Sequence, residues 1–146
     1  MISDYVWGHW NAACFGMLPT QLPGDRALIL IIGVDAAIQN SGVVQALEIF
    51  GPEIREAILA FRWFGLTEHA DILESAAAVS PLVDDVDCER RKDLTQHFED
   101  VAEGTSQKFD RPYYRLDPEC DRLVKAFAKQ LDREPSAFVR LDGDIP

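Results

Sequence analysis

Apolar residues recur along the chain at intervals of three and four, the spacing that lines one face of an α-helix. No stretch sustains the every-second-residue alternation of a half-buried strand. Ser3 is placed to cap a first helix whose stripe is Val6, Trp7, Trp10, Ala13, Cys14 and Met17, closed by Pro19. Pro23-Gly24-Asp25 opens a second helix with Leu28, Ile31, Ile32, Asp35 and Ile38 near one face, and Asn40-Ser41-Gly42 ends it. A short third helix is predicted over Val43 to Phe50, stopped by Gly51. Pro52 starts a fourth, with Ile54, Ala57, Ile58, Phe61 and Phe64 on one side and Gly65 as its left-handed terminator. Thr67 takes the N-cap of a fifth helix to about Val79, with Ile72, Leu73, Ala76 and Ala77 inward. A sixth runs from Cys88 to Glu103 along a seam of Leu94, Phe98 and Val101, and Gly104 to Arg115 is expected to be a loop carrying Pro112-Tyr113-Tyr114. Asp117-Pro118-Glu119 starts the last helix, which ends near Leu131 and buries Leu123, Phe127 and Leu131. The expected fold is therefore all-α: a single compact domain of about seven helices over residues 1–146, with no internal repeat and with Trp7, Trp10, Trp63 and Phe64 in its core.

Charge alters this picture more than composition does. Hydrophobic residues make up 47% of the 146 and charged residues 27%, but 25 Asp and Glu face 14 Lys and Arg, leaving a formal net charge of −11. Residues 1–89 hold 13 acids and only three bases (Arg26, Arg55, Arg62), net −10, whereas residues 90–146 hold 12 acids and 11 bases, net −1. Between Trp63 and Glu89 there is no Lys or Arg, while Glu68, Asp71, Glu74, Asp84, Asp85, Asp87 and Glu89 accumulate. Solvated helices usually intersperse signs, because like charges one turn apart repel. Such a surface disfavours direct binding to nucleic acid or to anionic membranes, both of which need clustered bases. The longest apolar run, Ala27 to Val34, is about half the length that spans a bilayer. Met1-Ile2-Ser3-Asp4 lacks the basic and apolar features of an export signal, and Cys14, Cys88 and Cys120 are odd in number and widely spaced. Reduced, buried or incidental thiols in a cytoplasmic protein are the expectation.

The most unusual local feature is the run Asp35-Ala36-Ala37-Ile38-Gln39-Asn40-Ser41-Gly42-Val43-Val44-Gln45. Its polar side chains either satisfy free backbone groups at the two adjoining helix ends, or Asp35, Gln39, Asn40 and Gln45 converge into a polar pocket with Asp35 as its charged centre. Catalytic signals are weaker. His9, His69 and His97 lie far apart with no His-Glu-x-x-His spacing, and His69 is expected at the surface. There is no phosphate-binding Gly-Lys-Ser/Thr loop and no nucleophile elbow, so no catalytic residue, metal site or cofactor is expected.

The order of these elements resembles a widespread bacterial all-helical domain family, one member of which is described as a DNA mimic. The likeness rests on Asp35, the Asn-Gly-Gly-x-x-Gln-like stretch Asn40-Ser41-Gly42-Val43-Val44-Gln45, then Phe50, Ala57, Phe64-Gly65, Ala70 and Ala76. A closing segment from Tyr113-Tyr114 through Leu116 and Asp117 to Leu123 and Phe127 completes it, so it covers roughly residues 28–131. Ser41 stands where the family commonly has Gly, and Val44 where an aromatic is common. The resemblance implies an all-helical fold and a DNA-like negative surface that occupies a DNA-binding protein.

Helix geometry sets the scale of such a surface. Glu53 and Glu56, and Glu68, Asp71 and Glu74, are spaced at i,i+3 and i,i+3,i+6, which puts neighbouring Cβ atoms roughly 5–6 Å apart. The leading expectation is a non-enzymatic binding protein whose acidic face (Glu48, Glu53, Glu56, Glu68, Asp71, Glu74, Asp84, Asp85, Asp87) engages a basic partner. That partner is a DNA-binding regulator if the chain is a DNA mimic, or a cationic nuclease toxin if it is an immunity-type protein. A third alternative is a small-ligand binder or enzyme centred on Asp35, Gln39, Asn40 and Gln45. A homodimer is compatible with each.

Overall fold

A computed structural model describes residues 1–101 and 106–141, with side chains described through residue 96 and from residue 108 onwards. Among these residues there are eight α-helices and no strand. Helix α1 spans Asp4–Cys14, capped by Ser3 Oγ, which accepts the Val6 N–H at 3.3 Å. Helix α2 (Pro23–Ser41) is the central element: Leu28, Ile31, Val34 and Ile38 are wholly buried along it. Helices α3 (Val43–Phe50), α4 (Glu53–Trp63) and α5 (Thr67–Val79) follow, and Pro81–Asp84 forms a 3₁₀ turn. Helix α6 covers Cys88–Val101, a π-helical turn Ser106–Asp110 leads into the one-turn helix α7 (Arg111–Tyr114), and α8 (Arg122–Arg133) precedes a last 3₁₀ turn at Pro135–Ala137.

Helices α4 and α5 form an antiparallel hairpin laid against α2 and α3. The whole predicted stripe of α4, from Ile54 to Phe64, is buried, together with Leu73, Ala76 and Ala77 of α5. Two glycines in this region have physical necessity behind them. Gly51 has φ +54°, and a Cβ there would come 2.6 Å from Cζ of Arg91. That arginine is itself buried: it donates from Nε to the Glu48 carbonyl at 2.7 Å and from a terminal nitrogen to the Asp85 carbonyl at 2.8 Å, tying α6 to the end of α3. Gly42 has φ +95° and ψ 170°, a conformation that side chains strongly disfavour.

Several sequence expectations are corrected. The stretch before Arg115, expected to be a loop, is helical where it is described, because Asp110, Tyr113 and Tyr114 are bonded to α2 and α3. Helix α8 begins at Arg122 rather than at Pro118; Asp117 still caps it, but from a turn ahead, accepting the N–H groups of Asp121 and Arg122 at 3.0 and 3.1 Å. Thr67 is the first helical residue of α5, with Leu66 in the cap position. On α1 the buried face is rotated, so that Trp7 is 42% exposed while His9 is wholly buried; Met17, expected on the same stripe, lies beyond the helix end and is exposed. The expected end of the sixth helix at Glu103, the start of the loop at Gly104, the side chains of His97, Phe98 and Val101, and the tail at Asp142-Gly143 lie outside the described residues.

The reason for the rotation is Asp25. Its carboxylate, with no solvent exposure, bonds His9 Nε2 at 2.7 Å and accepts the N–H of Leu22 at 3.0 Å and of Val139 at 2.7 Å. A single buried side chain thereby joins α1, the start of α2 and the segment after α8. Phe127 and Phe138 pack on the His9 ring with centroids 5.2 and 6.0 Å away.

Candidate functional site

The acidic residues singled out above lie at the end of α3, along the α4–α5 hairpin and in the turn that follows. Glu53 and Glu56 are exposed on α4 with no ion pair among the described residues. The base-free stretch is not left unneutralised, because arginines from elsewhere reach it. Arg62 at the end of α4 bridges Asp71 at 3.0 Å and Glu74 at 2.5 Å, and Arg122 of α8 holds Glu68 at 2.8 Å. Arg55 pairs with Asp84 at 2.6 Å, and Arg90 lies 3.4 Å from Asp85 and 3.9 Å from Asp87. Glu48 is half-buried near Lys92. These pairs cancel the charge only in part, since Arg62 and Arg90 are each shared by two carboxylates. Glu68, Asp71 and Glu74 also remain 60–64% exposed while paired, and such surface pairs are worth about 0–1 kcal/mol and yield to salt.

The polar run around Asp35 is divided by the fold. Asp35 accepts the Tyr113 O–H at 2.7 Å and is hydrogen-bonded by Gln39. Burial raises the Asp35 carboxyl above the usual carboxylate range against the pull of these two bonds, and the Asp117 charge adds to the rise. Burial, followed by the Asp35 charge, holds the Tyr113 phenol far above its ordinary value. A cavity of about 290 Å³ opens here between α2 and the start of α8, lined by Trp10, Asp35, Gln39, Asp117, Cys120 and Leu123 among others. Asn40 and Gln45 do not line it; the Asn40 amide is exposed and donates to Ser41 Oγ at 3.2 Å. The free backbone groups at this helix junction go to residues far away in sequence. Asp110 accepts the Val43 N–H at 2.8 Å, capping α3, and Tyr114 donates to the Ile38 carbonyl at 2.9 Å. Gly42 is pinned beneath Asp110, where a Cβ would stand 2.8 Å from a carboxylate oxygen.

The profile of the DMP19-like protein family matches residues 20–131. The chain belongs to that family. The DMP19-like segment therefore contains α2 through most of α8, with the acidic α4–α5 hairpin, the Asp35 cavity and the Asp110–Tyr114 clasp inside it. Helix α1 and the segment after Arg133 lie outside, joined to the DMP19-like part through the bonds of Asp25 to His9 and Val139. No curated protein and no solved structure matches the chain.

Other chemistry is sparse. Among the described residues no three His, Cys, Asp or Glu side chains are grouped so as to hold a metal ion, and no helix is long and apolar enough to cross a membrane. The three cysteines, expected to be buried or incidental, are all exposed, because each lies at or just outside a helix end. His69, expected at the surface, is wholly buried. It stacks on Phe61 (5.6 Å between centroids, 6° between planes) and meets Tyr113 edge-on, with no hydrogen-bond partner for either ring nitrogen among the described residues. Burial, followed by the Arg122 charge, lowers its pKa to about 4, so the ring is neutral at pH 7. The signal for its burial was present in the sequence: His69 lies in helical register with Leu73 and Ala76, at i+4 and i+7.

Proposed function

We propose that this DMP19-like chain is a non-enzymatic acidic binding protein that acts as a DNA mimic, occupying the DNA-binding surface of a basic protein. The family takes its name from a DNA mimic protein, and the match includes the whole α4–α5 hairpin. The observation that carries the reading is the row Glu68, Asp71, Glu74 on one rigid helix. Its carboxylates are solvent-exposed and spaced one turn apart, held by two arginines that do not cancel them. Asp84, Asp85, Asp87, Glu53, Glu56 and Glu48 extend the negative field around it. Such a row steers a basic surface from a distance, and the exposed ion pairs give way when arginines and lysines of the partner replace Arg62 and Arg122.

Two substitutions of opposite sign test this against a role of the row in folding alone. Asp71→Lys with Glu74→Lys slows association with the basic partner, whereas Arg62→Ala removes the shared guanidinium and accelerates it. Association rates are read by surface plasmon resonance at low salt. If both variants leave the rate unchanged, the row is not the interface.

A further inference from the structure

Helix α8 is two-sided. Leu123, Val124, Ala126 and Phe127 are buried, while Arg122, Lys125, Lys129 and Arg133 recur at spacings of three and four, which places all four bases within one narrow outer arc. That arc borders a depression of about 410 Å³, lined also by Gly65, Leu66, Ala126 and Gln130. Two of the four bases are matched, Arg122 by Glu68 at 2.8 Å and Lys125 by Asp121 at 2.6 Å. Lys129 and Arg133 have no carboxylate partner among the described residues. Gln130 is only 4% exposed and lines the same depression. A largely buried amide that opens onto a basic depression has the form of a ligand-binding group.

A chain of net charge −11 repels free anions on average, which makes a concave local surplus of cations a selective feature. We propose that the α8 groove is a binding site for a small phosphorylated ligand. A phosphoryl group carries close to two negative charges and several acceptor oxygens, matching the two unpaired cations and the Gln130 amide; a single carboxylate would leave one cation unmatched. The volume exceeds what one phosphate fills and leaves room for the remainder of the molecule. Arg122 stands between the groove and the acidic hairpin, since its guanidinium also holds Glu68.

Isothermal titration of the full chain at low salt, with inorganic pyrophosphate and with adenosine monophosphate as probes, tests the site. Both bind, and Lys129→Ala combined with Arg133→Ala weakens binding by roughly a hundredfold, about tenfold for each charge-assisted hydrogen bond removed. Gln130→Leu weakens it by about fivefold, whereas Arg26→Ala, in a separate depression, leaves it unchanged. Circular dichroism checks that the exposed double variant is folded, so the outcome does not depend on Gln130→Leu. Tighter binding of the nucleotide assigns the remaining volume of the groove to its nucleoside part, and tighter binding of pyrophosphate assigns the groove to phosphate groups alone. The proposal is overturned if neither probe binds the native chain, or if the double variant binds as well as the native chain does.

Discussion

Replacing Asp25 by alanine probes the bond set that fastens α1 and the segment after α8 to the rest of the protein. The carboxylate is without solvent exposure and serves three partners: His9 Nε2, the Leu22 N–H and the Val139 N–H. Its removal leaves one buried and two part-buried polar groups without their acceptor, each costing up to about 1–3 kcal/mol before relaxation. Water can reach the space near Leu22, which is exposed, and near Val139, which is only partly buried, so the net loss is roughly 3–5 kcal/mol, large beside an ordinary domain stability of about 5–15 kcal/mol. Urea unfolding at pH 7, followed by far-ultraviolet circular dichroism, reads it directly. With a slope of about 2 kcal/mol per molar, the midpoint falls by about 2 M with the slope unchanged. Asp25→Asn, which keeps one acceptor oxygen, falls in between. Amide exchange at Val139 accelerates in both variants. A midpoint drop below about 0.5 M for Asp25→Ala would refute the idea that this carboxylate joins the three segments.

Three further outcomes follow from the same geometry. His69 has a folded pKa of about 4 against an ordinary 6.5, so its contribution to stability is complete above pH 6.5 and is lost as the pH falls toward 4. Between pH 7.5 and pH 5 this amounts to ~2 kcal/mol, and urea midpoints of His69→Leu over that range lack this part of the decline. Gly42→Ala forces a side chain into φ +95° and against Asp110, costing more than about 2 kcal/mol in the same assay. Cys14, Cys88 and Cys120 all react with a thiol reagent in the native protein, Cys14 more slowly at neutral pH because burial raises its thiol pKa.

Much of the helical framework was legible because its boundaries are set locally. Pro23, Gly42, Gly51, Pro52 and Gly65 mark the ends of α2, α3 and α4 by backbone conformations that their neighbours cannot change, and the observed limits follow them. Where local signals failed, a distant residue had taken over. Asp117-Pro118 has the pattern of a helix start, yet its side chain caps a helix four residues further on. The Asp110–Tyr114 segment is helical through bonds to residues about 70 positions earlier, for which no local pattern exists. His69 was read by its polarity as a surface residue, but its ring is buried against aromatic neighbours; His9 is buried likewise and held by a carboxylate as well. Linear charge had the same weakness: the base-free stretch is met in space by Arg55, Arg62 and Arg122, which sequence distance conceals. Of the polar run, Asp35 and Gln39 meet at a cavity whose other walls come from Trp10, Asp117 and Leu123.

Competition on DNA is the most direct test of the mimic reading. A basic DNA-binding protein captured by the chain at low salt is loaded on a labelled duplex of its own site, and the chain is titrated in at several salt concentrations. The duplex is released in proportion to the chain added, the chain's affinity falls steeply as salt rises, and Glu68→Lys with Asp71→Lys and Glu74→Lys abolishes release. A complex in which protein, duplex and chain coexist, or release that is indifferent to salt and to the three substitutions, would contradict it.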